Sequence, residues 1–118
     1  LVAPTTTEKR LQGICEHSSG YLYYVSLKGV TGAAITDADS IAERVKALRE
    51  RTELPVVVGF GIKDEASATS MAAISDGVIV GSALVQKIGE LTDSGARDKA
   101  AVAQACELIG RLRKALDA

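Results

Sequence analysis

At 118 residues the chain holds one domain's worth of polypeptide or less, and 47% of it is hydrophobic, enough for a core of Ala, Val, Ile and Leu. A net charge of −1 gives no support for binding nucleic acid or another polyanion. No apolar run approaches the roughly 18 residues of a membrane span and no signal-peptide pattern leads the chain, so a cytoplasmic location is expected.

Leu1-Val2-Ala3-Pro4 has no initiator Met and reads as the end of a strand, which suggests a C-terminal fragment of a longer protein. Thr5 and Glu8 have the spacing of a capping box ahead of Leu11, Ile14 and Cys15 on one helical face, and Gly20 ends that helix. Tyr21 to Ser26 is a six-residue strand, and Gly29 to Asp37 is a loop of small residues. A second capping box, Ser40 to Glu43, opens a helix with Ile41, Val45 and Leu48 inward and Glu43, Arg44, Lys46, Arg49 and Glu50 outward. After Leu54-Pro55, the unbroken apolar run Val56 to Gly59 predicts a strand buried on both faces. Asp64 to Ile74 is an alanine-rich helix with Asp64 as its N-cap, and Val78 to Val80 is another fully buried strand. Ser82 caps a helix reading Leu84, Val85, Ile88 and Leu91, and Thr92 to Gly95 is a turn. The last helix carries Val102, Cys106, Ile109, Leu112 and Leu116 on one stripe. Cys15 and Cys106 lack CxxC spacing and are expected as two buried, reduced thiols, while His17 is expected in solvent at a helix C-terminus.

Strands alternating with helices predict an α/β fold with a parallel sheet. The strands ending at Gly59-Phe60-Gly61 and at Gly81-Ser82 each run into glycines, and the second also opens a helix. Free N–H groups and a partial positive charge at a helix N-terminus suit a dianion. Such a phosphate cradle follows the seventh and eighth strands of a (β/α)8 TIM barrel. A whole barrel needs about 250 residues, so residues 1–118 supply about the C-terminal half of a single barrel domain, from the end of the fifth strand to the eighth, with no internal boundary.

In a barrel the strand C-termini face the active-site mouth. The four aromatic residues, Tyr21, Tyr23, Tyr24 and Phe60, all lie on or beside these strands, which suggests a ligand with a flat ring at one end and a phosphate at the other. Strand alternation sends Tyr23 and Tyr24 to opposite sides. Tyr23 is read either as a pocket residue or as core, and Tyr24 as packing outward under helices. Gly29-Val30-Thr31-Gly32 is either a loop hinge or a simple turn.

The segments Gly20-Tyr21-Leu22-Tyr23-Tyr24-Val25-Ser26, Gly29-Val30-Thr31-Gly32-Ala33, Pro55-Val56-Val57-Val58-Gly59-Phe60-Gly61-Ile62 and Asp76-Gly77-Val78-Ile79-Val80-Gly81-Ser82-Ala83 together resemble the α subunit of tryptophan synthase. The resemblance runs from Leu1 to the final helix. It implies a lyase of tryptophan biosynthesis that cleaves indole-3-glycerol phosphate by a retro-aldol reaction into indole and glyceraldehyde 3-phosphate. It also implies transfer of indole to a pyridoxal-phosphate-dependent β subunit in an αββα tetramer, with no cofactor or metal in the α subunit itself. By the same resemblance Gly32, Phe60, Gly61, Gly81 and Ser82 hold the phosphate. Tyr23 and Ile79 line the indole pocket, and Thr31 orients a catalytic aspartate. The family's acid/base glutamate and aspartate belong to its N-terminal half, so this chain carries binding residues and no catalytic carboxylate. Two alternatives stand beside this reading. One is a non-catalytic half-barrel that binds phosphate and self-associates through its open edges and interior side chains Val56, Val58, Ile79 and Tyr23. The other is a different phosphate-binding barrel enzyme of tryptophan or histidine biosynthesis.

Overall fold

The computed structural model describes residues 1–26, 38–59 and 61–118. The elements run α1 (Glu8–His17), β1 (Leu22–Val25), α2 (Ala38–Arg49), β2 (Val56–Gly59), α3 (Glu65–Ala72), β3 (Gly77–Ile79), α4 (Ser82–Asp93) and α5 (Lys99–Asp117). The sheet order is β1-β2-β3, parallel throughout, with Leu22 opposite Val56, Val25 opposite Gly59 and Gly59 opposite Ile79. Val2 adds a fourth parallel position outside β1, donating to the Tyr23 carbonyl (2.8 Å) and accepting from the Val25 N–H (2.9 Å). The expected strand end at Leu1–Pro4 is therefore present as one bridge.

One face of this sheet is covered. Val2, Leu22, Tyr24, Val56 and Val58 share that side and form a core with Leu11 of α1, Ile41, Val45 and Leu48 of α2, Ala68 and Met71 of α3, and Leu112 of α5. Tyr24 lies under the helices, as expected, on the side opposite Tyr23. Val56 and Val58, expected on the open interior, are instead fully buried beneath the helices. The residues on the opposite face are Tyr23, Val25, Val57, Gly59 and Ile79, placed there by the period-2 register. Val57 and all of β3 are half-exposed, so the expectation of strands buried on both faces fails for them. In these residues helices cover one face only.

Several local expectations shift by a turn or less. The N-cap of α1 is Thr7 without a side-chain bond, so Thr5 and Glu8 do not form a capping box. Thr6 instead closes a turn with Ala3, its N–H donating to the Ala3 carbonyl and its Oγ1 accepting from the Ala3 N–H (both 2.9 Å). Ser40 lies inside the first turn of α2, which begins at Ala38, so it is not the cap. Arg44, expected outward, is half-buried and donates to the Thr6 carbonyl at 2.9 Å. Asp64 does cap α3: its carboxylate accepts from the Ser67 N–H (2.9 Å) while Ser67 Oγ accepts from the Asp64 N–H (3.3 Å).

The buried stripe of α5 is Ala101, Ala105 and Leu112, with Leu108 and Leu116 beside it. Leu112 and Leu116 are as expected, while toward the N-terminus the buried side lies about one position round from the stripe expected. Val102 (62% exposed), Ile109 and Cys106 therefore turn away from the core, and Cys106 is an exposed thiol while Cys15 is half-buried. α5 packs against both α3 and α4, with Ala101 and Ala105 on the side turned to α4. α4 has no buried residue, and its Leu84, Ile88 and Leu91 face Ala101, Val102, Ala105 and Cys106 across an apolar cleft of about 330 Å³.

At the N-terminal end of the strands, the Asp76 carboxylate accepts from the Val56 N–H (2.8 Å) and from Arg49 Nη2 (2.7 Å) and Nε (3.3 Å). The Val56 N–H and then the Arg49 guanidinium hold this carboxyl below the usual carboxylate range. A carboxylate depressed in the folded state stabilises the fold above its unfolded pKa of about 4 and loses that contribution as pH falls through its folded pKa. The side chain is 41% exposed, so solvent screening cuts the effect. Asp76→Asn is expected to cost about 1 kcal/mol at pH 7 and to flatten the acid limb of stability in urea titrations between about pH 5 and pH 3. An unchanged acid limb would remove Asp76 from this role.

Candidate ligand site at the strand C-termini

Parallel strands joined through helices bring every strand C-terminus to one end of the sheet. Here that end gathers the Ala3–Thr6 turn, Ser26, Gly59, Gly61 and Gly81-Ser82. Thr31, Gly32 and Phe60, and the loop Gly29-Val30-Thr31-Gly32, lie outside the described residues.

The two glycine sites differ in why they need glycine. Gly61 has φ +80°, a left-handed conformation that L side chains rarely adopt. Gly81 has φ −116° and nothing within 4 Å of where a Cβ would lie. Neither backbone nor neighbours demand glycine at 81; the space a Cβ would take lies open in front of α4. Gly81, not Ser82, is the N-cap of α4, and no side chain caps it. Ser82 is the first helical residue. The N–H groups of Leu84 and Val85 return to the Gly81 carbonyl (3.0 and 3.1 Å), leaving those of Ser82 and Ala83 pointing out of the first turn. Gly81 and Ser82 are both exposed. This is an uncapped helix N-terminus with the polarity an anion requires.

On the uncovered face, Tyr23 and Ile79 lie on either side of Gly59, Ile79 directly opposite it in the register. The Tyr23 ring lies over Gly59: an ideal Cβ there would sit 2.6 Å from Cζ and closer still to Cε2 and Oη. The missing side chain at 59 is thus the seat of the ring. Both pocket residues named from the sequence are brought to one face, half-exposed, beside the glycine turns.

Ser26 directly follows β1. It is buried, and its N–H (3.1 Å) and Oγ (2.9 Å) both donate to the Gly59 carbonyl. A serine closing an aromatic strand, where burial demands a partner for the hydroxyl, was the available signal.

Other titratable groups lie elsewhere. Asp64 is bound to Ser67, which keeps its carboxyl low through the hydroxyl and N–H bonds. Asp76 is at the opposite end of the strands, and His17 is exposed in the last turn of α1. Among the described residues no three His, Cys, Asp or Glu side chains cluster to hold a metal. No helix among them is long and apolar enough to cross a membrane.

The sequence pattern described as tryptophan synthase alpha chain matches residues 1–116. Among similar proteins, the tryptophan synthase alpha chain of Alkalilimnicola ehrlichii is 53% identical over 117 residues, covering 99% of this chain and 42% of that protein. That of Marinobacter nauticus is 51% identical over 118 residues, again 99% and 42%. Of solved structures, tryptophan synthase subunit alpha from Legionella pneumophila superimposes with a TM-score of 0.78 at 32% identity, over 98% of this chain and 40% of that one. A Mycobacterium tuberculosis tryptophan synthase structure gives 0.75 at 36% identity, over 98% and 40%. The chain spans about two fifths of the length of the relatives it matches. Its parallel sheet, covered by helices on one face, is part of a TIM barrel. The chain belongs to the tryptophan synthase alpha chain family.

Proposed function

We propose that these residues form the phosphate- and ring-binding part of an enzyme that cleaves indole-3-glycerol phosphate to indole and glyceraldehyde 3-phosphate in the cytoplasm. The supporting observation is the pairing at one end of the sheet of a left-handed Gly61 and an uncapped α4 N-terminus with the Tyr23–Gly59–Ile79 face. The N–H groups of Gly61, Ser82 and Ala83 take the phosphate, joined by those of Gly32 and Phe60. The half-exposed Tyr23 and Ile79 flank the indole ring. Indole passes to a pyridoxal-phosphate β subunit of an αββα assembly, and the α chain needs no cofactor or metal of its own.

Cleavage requires a proton delivered to the ring carbon and another removed from the substrate hydroxyl as the carbon–carbon bond breaks. We assign both transfers to carboxylates outside this segment, with Thr31 orienting one of them. Of the described acids, Asp64 caps α3 and Asp76 braces the far end of β2. The 118 residues should therefore bind phosphate esters without turning over substrate.

Calorimetric titration with glycerol 3-phosphate tests this. The chain should bind, and Gly61→Val should weaken binding more than about tenfold, because a β-branched residue cannot hold φ +80° without strain. Unchanged affinity in Gly61→Val would move the site elsewhere. Indole release by the purified chain would place an acid/base group within it.

A further inference from the structure

We infer that Ser26 is a positioning residue for the phosphate turn, acting through the Gly59 carbonyl; this rests on the phosphate reading of Gly61. The Ser26 N–H bond to that carbonyl continues the parallel ladder. The hydroxyl adds a second donor from a side chain to the same oxygen, at 2.9 Å, which the ladder itself does not need. A carbonyl has two lone pairs and accepts both. Because a peptide unit is planar, holding this oxygen fixes the plane in which the chain leaves β2, two residues before Gly61.

The need for such a grip follows from the residues around it. Glycines at 59 and 61 restrict the backbone less than any other residue would. Gly59 is held on its interior face by the Tyr23 ring and at its carbonyl by Ser26, so the start of the turn is constrained from two directions. Ser26 itself is only 8% exposed, so water competes poorly for its hydroxyl. An N–H array ordered before the ligand arrives spares binding the cost of ordering it.

The test is glycerol 3-phosphate affinity of the 118-residue chain, by calorimetry, beside thermal melts followed by circular dichroism. Ser26→Ala is expected to weaken binding about three- to tenfold, the scale of a hydrogen bond such as the one its hydroxyl gives the Gly59 carbonyl. Ser26→Cys, close in shape but a poor donor, should weaken it likewise. Ser26→Thr, which keeps the hydroxyl, should stay within about twofold of the unsubstituted chain. A hydroxyl that serves the fold alone would lower the melting temperature of the Ala and Cys variants and leave their affinity unchanged. That result would overturn the inference while the phosphate reading stands. Failure of the unsubstituted chain to bind glycerol 3-phosphate would overturn both.

Discussion

Replacing Gly59 with alanine is expected to weaken indole binding more than about tenfold while costing the fold only about 1 kcal/mol. The backbone at 59 accepts a side chain, since its φ lies outside the left-handed range. What it meets is the Tyr23 ring, whose Cζ would be 2.6 Å from the new Cβ. The ring is half-exposed on its open side and can swing away, which keeps the cost at the low end of overpacking penalties. Swinging moves it into the space where a flat ligand would stack, so the loss falls on binding. The chain contains no tryptophan, so indole fluorescence reports binding directly. Combining Gly59→Ala with Tyr23→Leu should recover the stability and not the affinity, a coupling that a double-mutant cycle measures. Indole affinity unchanged by Gly59→Ala would remove Tyr23 from the pocket.

Leu48→Ala has the larger effect on the fold, an expected loss of about 2–5 kcal/mol. Leu48 is fully buried on α2, the helix that packs over β2, in one core with Val45, Val56 and Val58. Truncating it removes buried methyl groups and leaves a cavity that helix and strand cannot both move to fill. A small domain has only about 5–15 kcal/mol to lose, so much of the chain should be unfolded at 37 °C. Urea unfolding measures this directly, and a midpoint within error of the unsubstituted chain would show that the α2–β2 layer does not carry the core.

Where periodicity and burial agree, the fold was legible in the chain. Ile41, Val45 and Leu48 recur at helical spacing and all three are buried. The β-branched run at Val56–Val58 is a strand, and Asp64 followed by Ser67 is a capping box because both partners are local. Misplaced features depend on what lies across from an element. In the last helix the expected stripe holds at Leu112 and Leu116, while Ala101 and Ala105 are buried in place of Val102 and Cys106. α5 packs against both α3 and α4, so which of its sides is covered depends on two elements distant in the chain. Thr5 and Glu8 had capping spacing, yet the turn that Thr6 makes with Ala3 starts α1 two residues later.

The candidate site divides in the same way. Glycines at the ends of two apolar strands, and an aromatic strand ending in serine, are local signals. From them follow the family, the parallel α/β plan, and the opposite orientations of Tyr23 and Tyr24. Tertiary packing confirms Tyr24 beneath the helices and adds what no local pattern carries: the Tyr23 ring seated over Gly59, and the Ser26 hydroxyl closed on the Gly59 carbonyl 33 residues away. Alternation sets the parity of a strand but not which face receives the helices. That choice, like the pairing of Val25 with Gly59, comes from the register between strands far apart in the chain, and no local pattern encodes it.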